Sequence, residues 1–198
     1  MRLLFILLTI YLAGCAQKTD QKEADMSVQI DTAAVVTEGQ KITKAAFTTL
    51  SSNLQQALSE GGVENALRFC NVEAMPLTDS LSTNYDVTIS RVSHRPRNQA
   101  NRADSLEMAT IKTYLEHVKQ QTELKPEVYA EAKRIIYHAP IRINNPLCLS
   151  CHGKVGTDVT ESDLQTIQKL YPEDQATGFS MGDLRGIWTI KFPADYFN

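Results

Sequence analysis

Beyond the first dozen residues the sequence has no long apolar run, so no later segment reads as a membrane span. It has no excess of basic charge either. Lys and Arg number 20 against 23 Asp and Glu, a formal net charge of −3, and such a surface gives no reason to expect nucleic acid. No internal repeat and no low-complexity tract interrupts the chain after residue 40, which excludes a solenoid or a propeller. Cysteine is scarce: there are four, Cys15, Cys70, Cys148 and Cys151. No second Cys/His pair follows the last two, so a four-ligand structural zinc site is not indicated.

What is present is concentrated in Cys148-Leu149-Ser150-Cys151-His152. In an exported protein a C-x-x-C-H of this kind reads as a covalent c-type haem attachment site. Two thiols three positions apart can each add to one vinyl group of a single porphyrin, and the histidine that follows can reach the iron. A thioredoxin-like redox pair uses the same C-x-x-C but opens a helix within a βαβ pattern. Here Pro146 and Gly153 frame the motif as a loop.

Export is read from the N-terminus. Arg2 followed by the apolar residues 3–12 has the n-region and h-region of a secretory signal, too short to span a bilayer. Leu12-Ala13-Gly14-Cys15 resembles a bacterial lipobox, in which Cys15 is acylated and becomes the new N-terminus. Loss of Arg2 takes the formal charge to −4. Ala16 stands where inner-membrane lipoproteins of enteric bacteria often carry Asp, which leans the expectation to the outer membrane, facing the periplasm. The expected division is a signal at 1–14, an acylated Cys15 with a polar tether at 15–39, and one domain at 40–198. Membrane contact is expected through the lipid alone.

Within the domain, Ile42, Ala45, Ala46, Leu50, Leu54 and Leu58 recur at helical steps until Gly61-Gly62 stop them, and a second helix carries Val63, Ala66, Leu67, Phe69, Cys70 and Val72 before Pro76. Val87 to Val92 reads as a strand, with Val87, Ile89 and Arg91 on one side. Asp104 or Ser105 caps a helix with Leu106, Ile111, Leu115 and Val118, and Thr160 or Ser162 caps a shorter one. Residues 134–143 are strand-like, with Pro140 implying a break or an edge. In the last strand Ile187, Thr189 and Lys191 alternate with Trp188, Ile190 and Phe192, one face apolar. The fold class is α+β, an antiparallel sheet packed on helices.

With Cys15 acylated and Cys148 and Cys151 carrying haem, Cys70 is left without a partner in an oxidising compartment. It is either a buried, inert core cysteine or a reactive one. His94, His117, His138, Met75, Met108 and Met181 are the other candidates for a second axial ligand, Met or His being usual in cytochromes c.

Four stretches together resemble a family of small bacterial c-type haem proteins with a PAS-like fold, which occur alone or as the extracytoplasmic sensor half of kinases and chemoreceptor-like proteins. They are Ala66-Leu67-Arg68-Phe69-Cys70, Arg95-Pro96-Arg97-Asn98 with Asn101, Cys148-Leu149-Ser150-Cys151-His152-Gly153, and Gly182-Asp183-Leu184-Arg185-Gly186. The resemblance spans residues 42–197. Gln99 stands where the family usually has proline, and Arg102-Ala103-Asp104 is also untypical. The resemblance implies a PAS-like sheet flanked by helices and one covalent haem whose iron is held by His152 and by the thiolate of Cys70. Arg95 and Arg97 are candidates to pair with its propionates, as arginine matches carboxylate geometry. Arg185 is a weaker one.

A thiolate ligand stabilises ferric iron and lowers the reduction potential. Two uses follow: a redox or gas sensor in which Cys70 leaves the iron on reduction, or a low-potential periplasmic electron carrier. No kinase or transmitter accompanies the domain, so a sensor needs a separate redox or signalling partner. A peroxidase is the third class, disfavoured because an occupied sixth position blocks peroxide, so no catalytic residue is assigned and the protein is not expected to be an enzyme.

Overall fold

The computed structural model describes residues 31–131 and 133–198. The expected signal, Cys15 and the first part of the tether lie outside the described residues. Helix α1 spans Thr32–Val72 and starts on Asp31, whose carboxylate accepts from the amides of Ala33 and Ala34 at 3.0 and 3.1 Å. Helix α1 therefore begins before residue 40. Val35 and Gly39 are buried and continue the stripe of Ile42, Ala46 and Leu50 backwards. Gly39 hides this in the sequence because it adds nothing to an apolar count. It is needed for close approach: a Cβ there would sit 2.6 Å from the ring of Tyr137.

At Gly61 and Gly62 the helix breaks, with Gly62 at φ +69°, a conformation open to glycine. The side-chain amide of Asn65 donates to the Ala57 carbonyl across the break at 2.8 Å. Residues 63–72 resume the helix, and α2 follows at Ala74–Tyr85.

Four antiparallel strands form the sheet: β1 Thr88–Val92, β2 Glu127–Glu131, β3 Arg134–Arg142 and β4 Leu184–Pro193, in the order β1-β4-β3-β2. The α+β expectation is met. Ile89, Ile135, Tyr137, Trp188, Ile190 and Phe192 face α1 and α2 and make the main core. The other face is covered as well. Helix α3, Ser105–Lys119, opens on a capping box between Asp104 and Glu107 and packs Ile111 and Tyr114 on Val92, Leu184 and Ile187. The expectation of a single apolar face on the last strand is therefore corrected: β4 is central and buried on both sides, with Thr189 fully buried. Pro140 sits where the sequence allows it. Pairing of β2 with β3 ends at His138, so beyond it β3 has a partner on β4 alone.

His138 lies on the α3 face, fully buried, with Nδ1 2.8 Å from the Thr110 hydroxyl. Thr110 also meets the Tyr129 hydroxyl at 2.9 Å, and that hydroxyl donates to Glu127. Burial lowers the pKa of His138 to about 4; Asp104 opposes this and Lys191 adds to it. A pKa lower in the folded than in the unfolded state gives stability that is present above pH ~6.5 and lost as pH falls toward 4. We expect acidification across that window to cost about 3 kcal/mol through this residue. Urea titrations of wild type and His138→Gln at pH 7 and pH 4 check it: the variant should be less stable at pH 7 and lose less on acidification, and parallel losses would refute the assignment.

Candidate functional site

The C-x-x-C-H motif is not a loop. Residues Pro146–His152 form a short helix, α4, with Asn145 as N-cap accepting from the Leu147 amide at 2.9 Å and proline in the first turn. Proline suits that place because its missing N–H is not needed there. The signals that suggested a loop are the two ends of a helix.

Seven residues do not hold a helix by themselves. This one is held by bonds to its last carbonyls, which helix geometry leaves open. The amides of Gly153, Phe179 and Gly178 donate to the carbonyls of Leu149, His152 and Gly153 at 2.7, 2.9 and 2.7 Å. Arg97 donates to the Cys151 carbonyl at 2.6 Å. Its Nε meets Asp174 at 2.9 Å in an ion pair whose side chains are 10% and 8% exposed. Asp174 also accepts from the Ala176 amide at 3.1 Å. Helix α5, Glu161–Leu170, follows, and its Ile167 packs with Leu67, Val159 and Cys151.

The imidazole of His152 is fixed by the same segment. Nδ1 lies 2.7 Å from the Ala176 carbonyl, and a carbonyl only accepts, so Nδ1 carries the proton and Nε2 keeps its lone pair. Burial first, then Arg185 and Arg97, hold the His152 pKa well below its ordinary value, so the ring is neutral. A neutral imidazole that donates its other N–H to a backbone carbonyl is the usual form of a metal-ligating histidine. The edge of Phe179 closes one side, 6.3 Å between ring centroids at 86°.

His152, Cys148 and Cys151 line a cavity of about 360 Å³, within the size range of small-molecule and cofactor sites. Its opposite contributions come from α1: Phe47, Leu50, Leu54 and Leu58 before the break, and Ala66, Leu67 and Cys70 after it. Cys70 lies three and four positions beyond Leu67 and Ala66, so it continues their buried stripe into the cavity. Burial raises the Cys70 pKa, against the pull of Arg91 and Arg97, and raises that of Cys151 to about 11. Without a metal these are thiols, not thiolates.

Of the other candidates for the second ligand, Met75 also lines the cavity, at its rim and 39% exposed. His94 lies beside Phe179, 6.5 Å between centroids, with Nδ1 buried and unpartnered among the described residues. His117 bonds the Thr122 hydroxyl at 2.7 Å, His138 is buried under α3, Met108 packs in the α3 cluster and Met181 is exposed. The structure brings none of these five to the cavity wall.

Four arginines reach the cavity: Arg91, Arg97, Arg142 and Arg185. Among the described residues no Asp or Glu lines it. Arg185 donates to the Ser93 hydroxyl at 2.9 Å and the Arg95 carbonyl at 3.2 Å, its Nε is buried without a partner, and burial lowers its pKa to about 9. Arg95, expected beside Arg97, is not on the wall. Its guanidinium donates to the carbonyls of Gln175 and Thr177 and lies 4.1 Å from the Phe179 ring centroid. Sequence reasoning missed Arg91, although a charge on the inward side of β1 was a readable signal. A cavity with apolar walls, two thiols and an imidazole on one helix, a third thiol on another, and uncompensated cations fits an iron porphyrin with carboxylate arms.

Removing Asp174 should show how far α4 depends on its clasp. Breaking a nearly buried ion pair leaves Arg97 uncompensated, so Asp174→Ala is expected to destabilise by about 3 kcal/mol in urea unfolding. Asp174→Asn, which keeps an acceptor, should cost clearly less, and equal small effects would show that the clasp is unimportant.

The model of the Tll0287-like family matches residues 16–193. The crystal structure of the cyanobacterial haem protein Tll0287 superposes with a TM-score of 0.55 at 21% identity, covering 79% of this chain and 95% of that one. No curated protein matches the chain.

Proposed function

The chain belongs to the Tll0287-like family, and from that premise we propose that it is a monohaem c-type protein of the bacterial cell envelope, a redox or gas sensor module tethered by a lipid on Cys15. The observation that carries this reading is the meeting of Cys148, Cys151, His152 and Cys70 on one cavity, with the His152 tautomer already set by Ala176. Cys148 and Cys151 would hold the porphyrin covalently. His152 Nε2 and the Cys70 sulfur would hold the iron, and Arg97 and Arg185 would face the propionates. Bound there, a haem supplies one-electron chemistry and, where an axial position is free, a site for a small gas.

The remaining roles belong to the chain. His152 is held neutral and oriented, so it stays in place in either redox state. Cys70 is the changeable ligand. Its burial favours the neutral thiol, and only a strong attraction from the metal keeps the sulfur charged. A ferrous iron would attract a thiolate less than a ferric one, so Cys70 would be the residue to take up a proton and withdraw when such an iron is reduced. The readout passes to a separate signalling protein.

A specific feature favours the second reading, a low-potential electron carrier facing the periplasm, on the outer rather than the inner membrane. Phe47, Leu147 and Met75, at 61%, 42% and 39% exposure, form an apolar rim at the cavity mouth beside Cys148. Such a rim suits close approach of a redox partner to the haem edge. Peroxidase activity is disfavoured as long as Cys70 occupies the sixth position.

Absorption spectra of the haem-loaded protein, oxidised and reduced, beside Cys70→Ala test the reading. Wild type should show thiolate charge-transfer features that the variant lacks, and its reduced form should bind carbon monoxide. Coincident spectra would remove Cys70 as a ligand and point to Met75. A reduced wild type that keeps both ligands and binds no gas would sink the sensor and leave the electron carrier.

A further inference from the structure

On β1, Ile89 and Arg91 share one face, which Val87 continues just before the strand. Val87 and Ile89 are in the core between the sheet and the α1–α2 layer. Arg91 occupies the same inward position and is a cation, at the point where the sheet meets the cavity. An arginine there is costly unless something negative comes to it. Its β4 neighbour is Trp188, paired with it in the sheet, and the guanidinium lies 5.7 Å from the indole centroid. Among the described residues the Arg91 guanidinium makes no hydrogen bond and no ion pair, whereas that of Arg97 is engaged by Asp174 and Cys151, that of Arg185 by Ser93 and Arg95, and that of Arg142 by Gly182. Arg91 is thus the cavity arginine without an acceptor among them.

Cys70 lines the same cavity, and among the described residues no Asp or Glu does. With Cys148 and Cys151 taken up by the porphyrin, Cys70 is the remaining thiol of that lining.

We propose that Arg91 is the counter-charge of the Cys70 thiolate, a positioning residue that acts on the iron through its sulfur ligand. The proposal rests on the reading of Cys70 as that ligand. The guanidinium draws density from the sulfur, so less of the thiolate's charge passes to the iron and the reduction potential stands higher than a bare thiolate would set it.

The test is a double-mutant cycle on the full-length haem-loaded protein, with reduction potential and ferric charge-transfer band as readouts. Arg91→Met keeps an apolar stem against Trp188 and removes the charge; Arg91→Lys restores a charge at the same place. We expect the potential of Arg91→Met to move negative and its charge-transfer band to shift, with Arg91→Lys recovering most of both. In a Cys70→Ala background the shift caused by Arg91→Met should largely disappear. An equal shift in both backgrounds would overturn the proposal and assign Arg91 to the porphyrin carboxylates, and no shift in either would make it a packing residue. A Cys70→Ala spectrum identical to wild type is a separate outcome, which removes the ligand itself. If Arg91→Met does not load haem, Arg91→Gln carries the same comparison.

Discussion

A helix of seven residues that carries two thiols and an imidazole has to be held from outside, and the rest of the site depends on that support. The support is a strip of chain, residues 174–179, laid along the C-terminal end of α4. It closes the open carbonyls with the amides of Gly178 and Phe179, fixes His152 through the Ala176 carbonyl, and is itself held by Arg95 and Arg97. Hydrogen bonds of this kind each contribute only ~1 kcal/mol net. What they supply is direction, because an imidazole with its Nδ1–H committed to a carbonyl presents Nε2 one way only.

Charge decides what that direction is for. Burying several guanidinium groups around a space without a carboxylate is unfavourable in a protein on its own. The ion pair of Arg97 with Asp174 relieves one of them; Arg91 and Arg185 have only dipoles, a ring face or nothing. The same space raises thiol pKa values. A dianionic, iron-bearing ring would reverse both penalties together, giving the cations carboxylates and the buried sulfur a metal.

The contiguous parts of this site were legible in the sequence and the assembled parts were not. Cys148, Cys151 and His152 can be read because their chemistry depends on spacing along the chain. Cys70 was reached by counting cysteines and by resemblance, since nothing beside it distinguishes a ligand from a core thiol. The helix around the motif was mistaken for a loop because proline and glycine mark helix ends and loops alike. Asp104 with Glu107 and Asn145 with Pro146 act locally, and the caps they form follow from the sequence rules. The partnership of Arg97 with Asp174 spans 77 positions, a separation over which no periodicity operates. Strand β2 has little signal of its own, because its Glu127, Ala130 and Glu131 are weak strand formers, stabilised by pairing with β3.

The strand order β1-β4-β3-β2 puts the last strand of the chain in the middle of the sheet. A polypeptide emerging from its N-terminus therefore carries β1 on one side and the β2–β3 hairpin on the other, with no edge in common, until residues 184–193 arrive. The strip at 174–179 also comes after the motif it supports. As the chain is made there is consequently an interval, about forty residues long, in which Cys148 and Cys151 have been delivered but the walls that will enclose them are not assembled, and in which those thiols are open to whatever reacts with them.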